Sequence, residues 1–415
     1  MKVNLKVISA IFIIMSCAGS LSCKQKIEYQ KNGLACLNIK KPLKLKAYPT
    51  EYTGDGTFHD ASYIAKDMKL GLNLGNTMEA YQANNCEKIT FTWIPRIGSN
   101  TPSNYEQCWH APVTTQEMID GIKAAGFNTV RIPVFWGNMM ENNGKWEINA
   151  DYINRVREIV DYCMKDDLYA VVNIHHFDEF IIRRNNLEDC KTIITNIWTQ
   201  IASYFQNYSE KLVFEGFNEY LGGQQFNEKG RLMDLPKKQA YELVNTLNDA
   251  FVQAVRSTGG QNKDRVLIIS GYWTNIDLTS ASAFLIPQDT ASNKLMVSVH
   301  YVDNSMYWER KIGSQKWLDY IDNQIMKLDR AFADKGIPVF LGETTSGYPK
   351  QNITGDLYKT SPECLEYVLT KLTEHGFVPV LWDTENDWSF YNRRKACIRD
   401  EKNQEVINRI KDSLE

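Results

Sequence analysis

Eight short apolar runs rich in β-branched residues, each followed by a longer polar or amphipathic stretch, constrain this chain more than any other feature of it. The runs fall at 69–74, 128–134, 169–175, 212–217, 266–270, 295–300, 338–342 and 378–382. Helical periodicity fills the intervals at 114–125, 151–165, 193–208, 237–257, 315–335 and 362–375, and again after the last run at 401–413. The interval 271–293 carries the weakest helix signal. Thr114 with Glu117 has the spacing of a capping box, and Gly126 and Gly376 stand where helices stop. Apolar strands alternating with helices require a parallel sheet buried on both faces, and eight such units predict a closed (β/α)8 TIM barrel rather than an open sheet.

In that fold a functional site gathers at the C-terminal ends of the strands. Those ends read Asn73 and Asn76, Arg131, His175 and His176, Asn218 and Glu219, Trp273, His300 and Tyr301, Glu343, and Trp382 with Asp383. A carboxylate at the end of a buried strand is costly unless it has partners or a task, and Glu219 and Glu343 both occupy such positions. If both strands belong to one barrel, the two carboxylates open onto one mouth. Paired carboxylates across a cleft are what cleavage of a glycosidic bond needs. Strand alternation puts Glu215 on the same face as Glu219 but deeper, as a structural partner.

Net charge of -3 and a pI near 6.2 provide no basic field for nucleic acid. The first 23 residues, with Lys2, Lys6 and an apolar run over 7–15, read as an export signal. Cys17 or Cys23 gives this leader the look of a bacterial lipoprotein signal, which predicts localisation at the cell envelope or outside it, with the membrane touched only through a lipid anchor. Residues 24–59 are predicted to be a tether, since 24–46 hold seven lysines against one glutamate. Residues 60–415 form the single predicted domain, expected to be monomeric. Cys86 and Cys108 flank one long loop and are the most plausible disulfide in an exported chain. That loop, 80–110, also carries Tyr81, Trp93, Tyr105 and Trp109 and is expected to wall one end of the cleft.

The motifs Gly-Leu-Asn-Leu-Gly-Asn-Thr at 71–77, Gly-Phe-Asn-Thr-Val-Arg-Ile-Pro-Val at 126–134, Asn-Ile-His-His at 173–176, Phe-Glu-Gly-Phe-Asn-Glu at 214–219, Ser-Val-His-Tyr at 298–301 and Leu-Gly-Glu at 341–343 resemble those of glycoside hydrolase family five, in order and over most of the chain. The resemblance is strongest to its endoglucanase and xyloglucanase branches. It implies a retaining β-glycanase with a β-1,4-glucan-type polysaccharide as partner and no metal or organic cofactor. Glu219 would be the general acid/base and Glu343 the nucleophile. Asn218 would bind the 2-hydroxyl of the sugar, His175 and His300 would orient hydroxyls and carboxylates, and Trp382 would floor the sugar. Asn73, Arg131 and His176 would support them. Arg131 is expected to lower the pKa of Glu343, and the carboxylate pair to raise that of Glu219.

The family's sixth strand usually carries His-x-Tyr, whose tyrosine donates to the nucleophile. Here Val302 stands at that position, so Tyr301 is expected to substitute if the strand ends at His300, with Tyr307 the second choice. A β-mannanase, an exo-acting β-glycosidase or a glycan-binding barrel without activity would share much of this pattern. A metal-dependent hydrolase would want a His-x-His on the first strand, which the chain lacks.

Overall fold

The computed structural model describes residues 37–81, 100–140, 144–302, 311–345, 361–385 and 389–415. The predicted leader, Cys17, Cys23, Cys86, Trp93 and Tyr307 lie outside the described residues.

All eight predicted runs form strands: β1 (Gly71–Asn73), β2 (Thr129–Ile132), β3 (Tyr169–Asn173), β4 (Leu212–Glu215), β5 (Leu267–Ser270), β6 (Leu295–Val302), β7 (Val339–Thr345) and β8 (Val378–Leu381). Each pairs in parallel with its neighbours, and β8 pairs with β1 to close the barrel. Around it lie α2 (Gln116–Ala124), α3 (Ala150–Lys165), α4 (Leu187–Tyr204), α5 (Lys237–Ser257), the single turn α6 (Ile276–Thr279), α7 (Gln315–Ala331), α8 (Ser361–Glu374) and α9 (Glu401–Ser413), with α1 (Ala61–Met68) preceding β1. The weak helix signal between β5 and β6 thus corresponds to one turn, α6, whose N-cap Asn275 accepts from the Leu278 N–H.

Alternation along the strands builds two apolar layers and one polar layer. Val130, Ile132, Val172, Phe214, Ile269, Val299 and Leu341 point outward and join the large core shared with the helices. Val171, Val213, Ile268, Met296, Phe340, Val378 and Val380 point inward and pack with Ala61, Ile64, Ala65 and Met68 of α1, which seals the N-terminal end of the barrel. Each buried Val, Ile, Phe or Met among these contributes about 1.5–3 kcal/mol relative to exposure. One step nearer the C-terminal end, the inward positions become Asn73, Arg131, Asn173, Glu215 and Ser298, all fully buried. The polar layer lies where the fold presents chemistry.

Two local expectations change. Thr115, not Thr114, is the N-cap of α2, and it makes no side-chain cap bond. The Thr114 N–H instead donates to Glu106 Oε1 at 2.6 Å, which removes it from the predicted capping box. Gly126 and Gly376 do end their helices, at φ +108° and +71°. The tether reading does not hold from residue 37 onward. Leu37, Ile39, Leu45, Tyr48 and Tyr52 pack on the outer core, and the segment is strapped to α4 by the Leu43 N–H to Asn196 Oδ1 (2.8 Å), the Leu45 N–H to Ser203 Oγ (2.9 Å) and the Tyr48 N–H to the Tyr204 carbonyl (2.9 Å). Leu37, Ile39, Leu43 and Leu45 alternate with Lys40, Lys44 and Lys46, so the lysines cover the wet face of an extended strip.

Candidate active site

Arg131, on β2 and 0% exposed, organises the polar layer. Its Nε donates to Glu215 Oε2 at 2.7 Å, its Nη1 to Asn73 Oδ1 at 3.0 Å and to Glu343 Oε1 at 3.3 Å, and its Nη2 to Asn218 Oδ1 at 2.9 Å. Burial disfavours its charge, yet Glu215 and Glu343 outweigh that and hold its pKa above the ordinary value. Glu215 is the structural partner expected: Ser298 Oγ donates to its Oε1 at 2.6 Å and Asn173 Nδ2 to its Oε2 at 3.0 Å. Ser298 and Asn173 were not singled out in the sequence. Each lies two residues before a rim histidine, His300 and His175, which is the signal that finds them. Asn73 Nδ2 donates across the barrel to the carbonyls of Gly342 (2.9 Å) and Leu381 (3.1 Å).

Simple alternation on β7 would aim Glu343 outward, because Leu341 points out and Gly342 in. A bulge corrects this. Val299 pairs with Leu341 but His300 pairs with Glu343, so Gly342 is an extra residue against β6, and the register also shifts against β8. A Cβ on Gly342 would sit 3.0 Å from Glu215 Oε1, 3.2 Å from Ser298 Oγ and 3.3 Å from Arg131 Nε. Gly342→Ala is expected to cost about 1–3 kcal/mol of stability by overpacking and on the order of 10²-fold in kcat/KM by moving Glu343. Melting and kinetics on one preparation check this, and wild-type kinetics would show that the aim of Glu343 does not depend on the glycine.

Glu219 follows β4 by four residues. Its Oε1 lies 3.0 Å from His300 Nδ1, while the same nitrogen is 3.7 Å from Glu343 Oε2. One ligand atom from each of Glu219, His300 and Glu343 falls within a 4.8 Å spread. The Glu219 side chain is 38% exposed and that of Glu343 13%, so Glu219 is the wetter of the two. Burial, with Glu219 beside it, holds Glu343 above the usual glutamate range although His300 and Arg131 oppose this. Burial pushes Glu219 the same way, but the His300 hydrogen bond and charge outweigh it and hold Glu219 low. The sequence predicts the reverse directions. His300 sides with Glu219, and the closest carboxylate contact of Arg131 is with Glu215. Such a pair titrates as a unit, with one proton held more tightly than a lone glutamate would hold it.

Asn218 accepts from Arg131, so its Nδ2 is the donor toward His175 Nε2 at 3.2 Å. Burial, followed by the neighbouring His176, Arg131 and His300, keeps His175 well below the usual histidine range and therefore neutral, with Nε2 as acceptor. Its ring lies 4° from parallel with Trp382 at 5.9 Å between centroids. Trp382 in turn rests on Gly75, where a Cβ would come within 3.0 Å of the indole and 2.4 Å of the Asp383 carbonyl. Asp383 Oδ1 accepts from the Phe390 and Tyr391 N–H groups at 2.7 and 2.8 Å, and Arg393 Nη2 donates to the Gly75 and Asp383 carbonyls at 2.7 and 3.0 Å. Arg393 thus ties the loop after β8 to the loop after β1 beneath the indole, a role without a pattern in the sequence.

His176, at φ +55°, turns its ring toward Trp109 (5.6 Å) and Tyr220 (6.3 Å). Burial lowers its pKa to about 4, so it too is neutral at ordinary pH. Tyr81 stacks on Phe135 at 4.4 Å and meets Trp109 at 5.5 Å, so part of the loop after β1 does stand at the mouth beside His176, whereas Tyr105 is core.

Tyr301 does not take the place predicted for it. Pairing with β7 extends β6 to Val302, so alternation turns Tyr301 away from His300 and the mouth; it is 1% exposed, in the outer core, 6.2 Å from the ring of Tyr320 on α7. Among the described residues, the groups on Glu343 are Arg131 and His300, and the second candidate, Tyr307, lies outside them. Cys108 is a free thiol, pushed by burial up to about 12; its expected partner, Cys86, lies outside the described residues. The Glu219, His300 and Glu343 donors could face one divalent ion, but the Arg131 guanidinium beside Glu343 opposes a second cation there.

Residues 94–387 match the family model described as cellulase (glycosyl hydrolase family 5). Endoglucanase A of Clostridium longisporum is 31% identical over 392 residues, spanning 88% of this chain and 70% of that protein. A GH5-4 broad specificity endoglucanase from an uncultured bovine rumen ciliate superposes with a TM-score of 0.70 at 31% identity, covering 86% of this chain and 99% of that one. A Bacteroides ovatus GH5 xyloglucanase in complex with a XXXG heptasaccharide gives 0.71 at 25% identity, covering 89% and 81%.

Proposed function

The chain belongs to glycosyl hydrolase family 5, and from that membership we propose that it is an exported, retaining endo-β-1,4-glucanase that cuts β-glucan backbones, xyloglucan among them, by double displacement. The observation that carries this reading is the approach of a Glu219 and a Glu343 oxygen to within 4.8 Å. Retaining enzymes hold their carboxyl groups about 5–5.5 Å apart, whereas inverting enzymes leave about 6.5–9.5 Å for a water.

In the first step a Glu343 oxygen attacks the anomeric carbon, the bond from that carbon to the leaving oxygen breaks, and Glu219 gives its proton to that oxygen. In the second, Glu219 takes a proton from water, the water oxygen attacks the same carbon, and the bond to Glu343 breaks. Only one proton is needed between the two glutamates, and the pair is built to hold one. A glycan covering the wetter Glu219 strips its water and raises its hold on that proton, leaving Glu343 anionic between Arg131 and His300. The Asn218 bonds to Arg131 and His175 support a role for it in binding a sugar hydroxyl over a Trp382 floor.

The xyloglucan and endoglucanase names of the relatives support the choice of glucan. The choice is tested on purified xyloglucan, cellulose derivatives, mixed-linkage glucan and mannan. Release of oligosaccharides of mixed length from the glucans is expected, and release of glucose alone, or action on mannan alone, would contradict it. Export rests on the leader at 1–23; absence of fatty-acid label on the full chain expressed in bacteria would remove the lipid anchor.

A further inference from the structure

Asp178 is the second residue of the short helix Phe177–Ile182 that follows the His175–His176 turn, and it is 0% exposed. Among the described residues no cation forms a salt bridge with it, and burial pushes its carboxyl up to about 8. A buried acid kept without a countercharge carries a cost that its contacts must offset. Those contacts converge on one place. Oδ1 accepts from the Glu179 N–H at 3.0 Å, an ordinary bond at a helix start. Oδ2 reaches across to the segment after β4 and accepts from the Asn218 N–H at 3.0 Å. Asn218 is the residue immediately before Glu219.

The segment that carries Glu219 lies beyond the strand ladder. Phe217 N–H is held by Ser270 Oγ at 2.8 Å, and the next anchor along the chain is Asp178. The Glu219 side chain is restrained by His300 on one oxygen and is otherwise the most open carboxylate of the site. Its position therefore depends on its backbone, and that backbone is held one residue upstream by the Asp178 carboxyl. We propose that Asp178 is a positioning residue for proton transfer by Glu219, fixing through the Asn218 N–H the distance from the Glu219 carboxyl to the leaving oxygen.

This rests on the reading of Glu219 as the general acid, and the test separates the two. Loss of acid assistance matters for a sugar leaving group, a poor one, and hardly at all for a dinitrophenolate, which departs without a proton. The kcat/KM of Glu219→Ala, Asp178→Ala and Asp178→Asn is compared with wild type on a cello-oligosaccharide and on a dinitrophenyl β-cellobioside. Glu219→Ala should lose on the order of 10²-fold or more on the oligosaccharide and only a few-fold on the aryl glycoside. Asp178→Ala should show the same asymmetry at about 10-fold to 10²-fold, with Asp178→Asn, which keeps one acceptor, in between. Equal losses on both substrates, or none, would overturn the role of Asp178 if Glu219→Ala is asymmetric. Symmetric losses in Glu219→Ala would overturn the reading of Glu219 itself. If Asp178→Ala does not fold, the substrate ratio of Asp178→Asn decides.

Discussion

Glu343→Gln is expected to abolish hydrolysis, with kcat/KM falling on the order of 10⁴-fold or more, a barrier increase of about 5 kcal/mol or more. The amide keeps the size of the side chain and its place at the Gly342 bulge, but it has no anionic oxygen to form the glycosyl bond. The fold should survive. Arg131 keeps its closest carboxylate, Glu215 at 2.7 Å, and removing one of two facing carboxylates relieves their repulsion. An unchanged or slightly raised melting temperature together with lost turnover fits this expectation, whereas near-normal turnover would remove Glu343 from the chemistry.

Arg131→Met should be the most damaging change to the fold of the site as well as to its rate. Glu215 is completely buried, and its cation is Arg131; leaving such a charge unpaired costs about 3–5 kcal/mol. Asn73 Oδ1 and Asn218 Oδ1 lose their donors in the same substitution. The direction of the pH effect follows from the sign of the charge. Arg131 lowers the pKa of Glu343, so without it that pKa rises further. Because Glu343 must be ionised to attack, the acidic limb of residual kcat/KM should move to higher pH. Chemical denaturation measures the first effect and a pH–rate profile the second. Stability within about 0.5 kcal/mol of wild type, the range of an ordinary surface substitution, would mean that the buried ion pair is not holding the polar layer.

Why the sequence shows so much of this site, and where it stops, can be traced to particular residues. Strand runs followed by Asn73, Arg131, His175, Asn218, His300 and Trp382 are legible because a closed parallel barrel converts chain position into depth, and the rim residues converge as expected. Counting by two also reaches Ser298 and Asn173. The same counting fails at Gly342, since a one-residue bulge reverses which face every later residue takes; the isolated glycine inside the strand is the one signal of it. It fails at Tyr301 because the end of β6 is set by pairing with an extended β7 rather than by its own residues. The strap at 37–46 is hidden by its lysine count, although its alternation with Leu and Ile carries the signal. The ionisation of the two glutamates depends on a contact across the barrel, His300 to Glu219, that sequence spacing does not encode. Asp178 and Arg393 likewise act through backbone groups of distant loops.

If Glu219 and Glu343 carry out double displacement, the sugar keeps its β configuration. Proton NMR of the reducing end of the first oligosaccharides released from a β-1,4-glucan reads this directly. The β-anomer signal should appear first, with the α-anomer growing in only as mutarotation proceeds. Initial release of the α-anomer would mean inversion and would contradict the nucleophile, the covalent intermediate and the pairing of the two carboxylates together.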